Sequence, residues 1–321
     1  MTRYEIADCP SCGGSEHTPV AGSDAIRDEL EQLWAFHTRR LRGDTPPEQL
    51  HDRITFSQHP PLRVVRCDRC TLLFRNPRER ADELMDTYGD EEPGDAALEP
   101  LFDTQKQSYR TQALRLASIA GRSGRGLEVG SYVGAFLAAA AGIGWDFTGI
   151  DINDAANTFA SERGLSVRSG TIEATDPARK YDAVAFWNCF DQLPDPSAAA
   201  TAARQRLRDG GLLCIRVPNG AFYAAWRARL NTPLRPLARL LLAHNNLLGF
   251  PYRHGFSPAS LTPLLERAGF AIVHVYGDTL VPVADRWTRP WARAEERAVK
   301  AALRSLSAAG SPWIEVYARA V

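Results

Sequence analysis

From Gly126 onward short apolar runs alternate with amphipathic or alanine-rich stretches, and this rhythm limits the possible folds more than any other feature of the chain. GLEVG (126–130) reads as a strand, AFLAAAAGIG (135–144) as a helix ending on glycine, FTGIDI (147–152) as a second strand and DAANTFASERG (154–164) as a second helix. LSVRSG (165–170), YDAVAFW (181–187), the helical AAATAARQRLRDGG (198–211) and LLCIRVPN (212–219) continue the series. Alternation at this spacing implies crossover connections, hence a mainly parallel sheet with helices on both faces. After an interruption at 220–256 the pattern resumes at SPASLTPLLERAGF (257–270), where Ser257 suits a helix cap and Pro258 the first helical position. AIVHVYG (271–277) reads as a strand, 292–310 as a helix and WIEVYARAV (313–321) as an alternating last strand.

The first strand leads into LEVGSYVGAF (127–136), a glycine loop that fits no phosphate-binding fingerprint. G-x-G-x-x-G needs a glycine where Tyr132 stands, because backbone must approach the pyrophosphate there, so a nicotinamide reductase is disfavoured. The loop lacks the GK[ST] ending of a nucleotide-hydrolysing P-loop. A ligand without phosphate asks less: one glycine for the turn and one for close passage at the helix start. Glu128 can address a cationic group, and Asp151, ending the next strand, is placed for the vicinal hydroxyls of a ribose. These residues suit a nucleoside with a positive amino acid tail.

EVGSYVG (128–134) followed by GID (149–151) resembles motif I and the ribose acid of class I S-adenosylmethionine-dependent methyltransferases. The likeness continues through GTIEA (170–174), YDAVAFWNCFDQLPDP (181–196), LRDGGLLCIRVPNG (207–220) and YRHGFSPASLTPLLERAGF (252–270), and so covers nearly the whole chain. It is similar to bacterial small-molecule members of that family that carry an N-terminal four-cysteine element. The resemblance implies an α/β Rossmann-like methyltransferase domain with a mainly parallel seven-stranded sheet, behind a small zinc-binding domain. It implies that Glu128, Gly130, Tyr132 and Gly134 cradle the methionine part of S-adenosyl-L-methionine, that Asp151 and Ile152 meet the ribose, and that Thr171 and Ile172 border the adenine. Asn188 and Phe190 are expected to face the cofactor and the site of methyl transfer. One departure bears on catalysis: where the family often has Glu-His before Leu-Pro, this chain has Asp191-Gln192.

Residues 1–77 differ in character. Cys9-Pro-Ser-Cys12 and Cys67-Asp-Arg-Cys70 supply four thiolates in two tight turns, enough for a closed tetrahedral zinc site of structural type. A redox dithiol pair is the competing use. A helix is expected at about 24–42, with Ile26, Leu30, Leu33, Trp34, His37 and Leu41 on its packing face, and LRVVR and TLLF as two strands of a hairpin. Residues 78–118 are expected to be a mostly helical linker or cap, with helices at ERADELMDTY (79–88) and 101–120 and an acidic break at 90–97. The expected division is thus 1–77, 78–118 and 119–321.

The interruption at 220–256 follows the fifth strand of the series, which puts it over the ligand edge of the sheet. Tyr223, Arg227, Tyr252 and Arg253 within it are candidates to hold a partly apolar substrate with polar or anionic groups. His254 is the first acid–base candidate, because neutral imidazole is available near pH 7, and Asp191 is the second. Ordering the loop by hydrogen bonding is the other use for His254.

Equal numbers of basic and acidic residues, 38 of each, disfavour a nucleic-acid partner. No apolar run approaches the ~20 residues of a membrane span, and no signal-like start precedes the cysteines, so a cytoplasmic location is expected. The expected function is methyl transfer to a small metabolite of natural-product or modified-sugar biosynthesis, with oxygen the first choice of acceptor and nitrogen or carbon next. RNA or protein methylation and a non-catalytic scaffold are the remaining alternatives, and the chain fits a monomer or a homodimer.

Overall fold

A computed structural model describes residues 3–47, 49–50, 61–83 and 95–321. Of the expected helix at 79–88, residues 81–83 are helical and 84–88 lie outside the described residues; of the expected acidic break at 90–97, residues 90–94 lie outside them and 95–97 already belong to a helix. Glu79, its first residue, shares a short strand with Arg78.

The N-terminal part contains β1 (Tyr4–Glu5), β2 (His17–Gly22), α1 (Ser23–Arg40), β3 (Arg63–Cys67), β4 (Leu73–Arg75) and β5 (Arg78–Glu79). β3 and β4 form the expected hairpin, since Val64, Val65, Leu73 and Phe74 are all buried apolar residues of β-forming or large type. α1 forms where expected, but its buried face is Ile26, Glu29, Leu33, Phe36, His37 and Arg40. Leu30 and Trp34 are only half-buried, because two charged residues with distant partners take inward positions.

α2 (Asp95–Ala120) leads into the alternating region: β6 (Arg125–Val129), α3 (Ala135–Ala141), β7 (Asp146–Asp151), α4 (Asp154–Glu162), β8 (Val167–Ser169), β9 (Tyr181–Trp187), α5 (Pro196–Arg206) and β10 (Leu207–Pro218). α6 (Gly220–Arg227) and α7 (Arg235–Ala243) lie in the insertion, and β11 (His254–Gly255) closes it. α8 (Pro258–Arg267), β12 (Phe270–Asp278), α9 (Pro290–Arg304) and β13 (Trp313–Ala320) complete the chain.

Seven strands make one sheet in the order β12-β13-β10-β9-β6-β7-β8. β10, β9, β6, β7 and β8 pair in parallel, and β13 runs antiparallel to both β10 and β12. This is the Rossmann-like methyltransferase fold that the alternation and the resemblance led us to expect. The order reverses at β6, between β9 and β7, which opens a crevice beyond the carboxyl ends of these strands. α5 ends at Arg206, earlier than expected, because Leu207 leaves it to pair with Tyr181 and the Asp209-Gly210 turn feeds the strand. β13 is buried on both faces, so its alternation marks two covered sides.

Caps fix the helices that start at the crevice. The Asn153 side chain accepts from Ala156 N, Asp195 from Ser197 N and Ala198 N, and Ser257 forms a capping box with Ser260. The main core joins the sheet to the cysteine region: Cys9, Cys67, Cys70, Leu72 and Phe74 share one cluster with Val129, Phe186, Ile215 and Leu264. A second cluster packs α1 against the insertion through Leu33, Phe36, Phe222, Tyr223, Leu242 and Phe250. Among the described residues, no helix is long and apolar enough to cross a membrane.

Candidate active site and cysteine cluster

At the end of β6, Gly130 N and Ser131 N both donate to Ile150 O, at 2.8 and 3.2 Å, tying the first loop to the second strand. Gly130 has φ +70°, and a Cβ there would lie 2.8 Å from Cys189 Cβ; Gly134 has φ +73°, and its Cβ would meet Leu165 at 2.6 Å. Both glycines are therefore required by backbone sign and by crowding. Tyr132 takes φ +43° without being glycine. Its N–H donates to Asp151 Oδ2 at 2.8 Å, and its side chain packs beside Leu98, Phe102 and Phe159. That contact holds the left-handed turn which a glycine would otherwise supply.

Asp151 ends β7, its other oxygen accepting from Asn153 N at 2.9 Å. Each carboxylate oxygen keeps a further acceptor position for a hydroxyl. Glu128 is 2% exposed, and its Oε2 has no hydrogen-bond partner among the described residues. Burial first, then the charge of Asp151, pushes its carboxyl well above the usual range. Burial also raises Asp151, against three backbone N–H groups. Asp191, after β9, is fully buried with neither oxygen paired among the described residues, and burial lifts it to about 8 against the opposing pull of its own backbone N–H and of Arg216. Between these groups the Cys189 thiol donates to Val129 O at 2.9 Å, pushed up by burial and by Asp191, Asp151 and Glu128. Three carboxyl groups thus share one strand edge. A cationic ligand entering there would favour their charged forms, whereas a diphosphate would meet repulsion.

Other expected residues divide by place. Ile152 and Thr171 are half-buried at this edge, Thr171 leading into the single turn Ile172–Ala174. The Ile172 side chain is in the core. Asn188, at φ +64°, gives its amide to the protein: Nδ2 donates to Tyr109 Oη at 2.9 Å and Oδ1 accepts from the Arg216 guanidinium. Phe190 is fully buried between the rings of Phe186 and Phe256, 5.2 and 5.4 Å away, and does not face the crevice. Tyr223 and Arg227 turn towards α1 instead of the strand edge: Tyr223 Oη donates to Glu29 Oε2 at 3.1 Å and Arg227 Nε to Glu29 Oε1 at 2.8 Å. Arg253 is 2% exposed and donates to Glu79 O, with burial and the neighbouring Arg78 lowering it to about 10. Tyr252 is half-buried near Phe250.

The two acid–base candidates meet through backbone alone. His254 N donates to Asp191 O at 2.9 Å, but the imidazole and the carboxylate form no hydrogen bond. Both ring nitrogens of His254 lack partners among the described residues, and burial followed by Arg253 and Arg78 holds the ring neutral, well below the ordinary histidine range. Three residues at this edge escaped sequence reasoning. Tyr109 comes from α2 and is half-buried, accepting from Asn188 Nδ2, with desolvation and Glu128 raising its phenol. Cys189 looked like a core thiol. Arg216, in an apolar run on β10, also donates to Asp278 at 2.7 Å and to Thr279 O. Only a charge inside LLCIRVPN hinted at it.

The four thiols of Cys9, Cys12, Cys67 and Cys70 converge, with all sulfur atoms within 4.8 Å of one another. Cys9 and Cys70 are 3.5 Å apart, as are Cys12 and Cys67. These separations are too long for disulfides and near the roughly 3.8 Å edge of a tetrahedron with metal–sulfur bonds of about 2.3 Å. Turns at each pair aim the sulfurs: Gly13 N donates to Cys9 O and Thr71 N to Cys67 O. The donor set fits one thiophilic divalent ion. The cluster is fastened to the sheet domain by Ser11 Oγ, which donates to Ser260 O at 2.7 Å, and by β4, whose Phe74 pairs with His254.

A family profile described as a methyltransferase domain matches residues 102–275, more than half of the chain. This protein belongs to the methyltransferase domain family. The match begins inside α2 and ends in β12, so it contains Tyr109, the glycine loop, Asp151, Asp191 and the insertion. Ubiquinone biosynthesis O-methyltransferase of Paramagnetospirillum magneticum is 26% identical over 173 residues, which is 50% of this chain and 65% of that protein. The methyltransferase-family chain therefore spans slightly less than two thirds of that relative's length. Among solved structures it is similar to a Thermotoga maritima SAM-dependent methyltransferase described as a possible histamine N-methyltransferase, at 18% identity and TM-score 0.45 over 70% of this chain and 94% of that one. It is also similar to the plantazolicin methyltransferase BpumL in complex with SAH, at 13% identity and TM-score 0.46 over 74% and 93%.

Proposed function

We propose that this protein transfers a methyl group from S-adenosyl-L-methionine to a small organic molecule, with a hydroxyl oxygen as the first acceptor to test. The observation that carries this reading is the run of Glu128, Asp151 and Asp191 at the edge where the sheet order reverses, beside a glycine loop built for close backbone passage. Family membership and the O-methyltransferase relative support it. When bound, S-adenosyl-L-methionine supplies an electrophilic methyl carbon. Asp151 would accept from the ribose hydroxyls, and Glu128 would receive the positive amino acid end. Bringing the acceptor into line behind the methyl group supplies much of the rate. Asp191, lifted to about 8, would take a proton from a hydroxyl only in its ionised form, which a cationic ligand beside it favours; His254, held neutral with a depressed affinity for protons, is the weaker base. Natural-product or modified-sugar biosynthesis is the setting we favour, with nitrogen and carbon as the other acceptors.

We further assign the four cysteines to one structural zinc ion, since four protein ligands leave no open coordination position. In this reading 1–77 is the zinc region, 78–118 the connecting cap and 119–321 the catalytic domain.

Titration calorimetry with S-adenosyl-L-methionine and its demethylated product, followed by labelled-cofactor incubation with fractionated metabolites and mass spectrometry, tests the proposal. Association with both compounds and a one-methyl mass gain are expected. Asp151→Ala should weaken cofactor binding by about a hundredfold, the worth of two charge-assisted hydrogen bonds. Failure of the wild-type chain to bind either compound would refute the reading.

A further inference from the structure

Arg216 and Asn188 together decide where one hydrogen atom at the strand edge points. A guanidinium has donors only, so the Asn188 amide turns its oxygen to Arg216 Nη1 and its Nδ2 the other way. That nitrogen donates to Tyr109 Oη at 2.9 Å, which makes the phenol oxygen the acceptor. The Tyr109 hydrogen is left over, and it meets no acceptor among the described residues.

The amide has no freedom to turn over. Asn188 N donates to Arg216 O at 3.0 Å and Gln192 Nε2 to Asn188 O at 2.7 Å, so all four polar groups of Asn188 are engaged. Arg216 is held as firmly: Nε donates to Asp278 at 2.7 Å and Nη2 to Thr279 O at 2.7 Å, while its Cζ lies 4.5 Å from the centre of the Trp313 ring. In the row Arg216, Asn188, Tyr109 the donated hydrogens therefore all point away from Arg216, and each bond polarises the next. Arg216 is 2% exposed, so an anion meets this row only at Tyr109.

Tyr109 is half-buried on α2, its ring 5.8 Å from that of Phe136 in α3, and Glu128 is the charge that acts on it most. Burial and that carboxyl keep the phenol protonated. The leftover donor thus stands by the residue assigned to the positive amino acid end of the ligand. An amino acid carries a carboxylate as well, which finds no partner in Glu128, Asp151 or Asp191, whereas the phenol supplies a hydrogen without a negative charge. We propose that Tyr109 donates to this carboxylate, and that Arg216 is the positioning residue which, through Asn188, turns the phenol hydrogen towards it. The identity of the ligand rests on the methyl-transfer reading; the row adds selection for a ligand that keeps its carboxylate.

Calorimetry with S-adenosyl-L-methionine and with its decarboxylated form, which retains the sulfonium and the amine, tests it. Tyr109→Phe should lower the ratio of the two affinities about thirtyfold, the worth of one hydrogen bond to a charged acceptor, by weakening the carboxylate-bearing compound alone. Asn188→Asp keeps the shape but offers only acceptors, so the phenol hydrogen turns inward and the ratio should fall by a similar factor. On the Tyr109→Phe background the same change should leave the ratio within about twofold. Arg216→Gln, which lets the amide turn over, should lower it about tenfold; Asn188→Asp carries the test if that buried substitution prevents folding. A ratio unmoved by Tyr109→Phe or by a folded Arg216→Gln would overturn the proposal. So would an Asn188→Asp loss just as large without the phenol, which would mark plain charge repulsion. Binding of neither compound by the wild-type chain would instead remove the methyl-transfer reading, and this proposal with it.

Discussion

Asp191→Asn isolates one buried carboxyl and gives a sign that can be worked in advance. Folding raises Asp191 from about 3.9 in an open chain to about 8 in the protein. The folded state therefore holds a proton that the unfolded state has released, and the stability this group contributes is fully present below pH ~4 and lost as pH rises through ~8. His254 acts in the opposite sense: its folded pKa is depressed, so its contribution is present above about 6.5 and lost at lower pH. Below pH ~6.5 the two slopes oppose each other; above it the Asp191 slope is left uncompensated by His254. At about 1.36 kcal/mol per pH unit, with Asp191 half titrated at the upper limit, raising pH from 6.5 to 8.0 should cost about 1.6 kcal/mol through this group alone. Urea unfolding of the wild-type chain and Asp191→Asn at both pH values, without cofactor, measures it. The wild type should lose about 1.6 kcal/mol more than the variant between the two conditions; Glu128, present in both, cancels in that difference. Parallel losses within about 0.5 kcal/mol would refute the assignment of a protonated, desolvated Asp191.

Chelation or Cys67→Ser should release about one zinc ion per chain, and losing even about 4 kcal/mol of metal-linked stability should lower Tm by roughly 8–16 °C; unchanged metal content and melting would remove the structural ion. Gly130→Ala should destabilise by about 2–4 kcal/mol, from the left-handed backbone and from the clash with Cys189. Adding Cys189→Gly should recover the crowding part only, and full recovery measured by urea unfolding would show that the backbone sign is not limiting. Glu29→Gln should cost about 3 kcal/mol, because Arg227, one fifth exposed, loses the carboxylate that holds it against α1; a change below about 0.5 kcal/mol would mean that the pair contributes nothing net.

The sheet was legible from Gly126 onward because each strand's apolar run and each helix's cap are local, and periodicity reports local burial. Asp151 and the loop from Gly130 to Gly134 were legible for the same reason: strand end, turn and helix start are neighbours in sequence. The cysteine pairs were legible because ligand spacing within each knuckle is short-range. The inward face of α1 was only partly so. Glu29 and Arg40 read as solvent residues until Tyr223, Arg227 and Glu295, some two hundred positions away, supply their partners.

Which polar groups meet at the strand edge followed the same division. Sequence singled out Asp191 and His254 but not that they join through backbone while their side chains stay apart. It set Tyr223 and Arg227 over the crevice, where tertiary packing turns them to α1. It passed over Arg216, whose fate depends on β12 lying beside β13. Sequence by itself determined the order of elements, the glycine loop, the ribose-type acid and the four-thiol donor set, all written in spacing over a few residues. Tertiary structure alone decided which charges are desolvated and which remain outside without a partner, because burial and ion pairing depend on elements that are distant in the chain and adjacent in space.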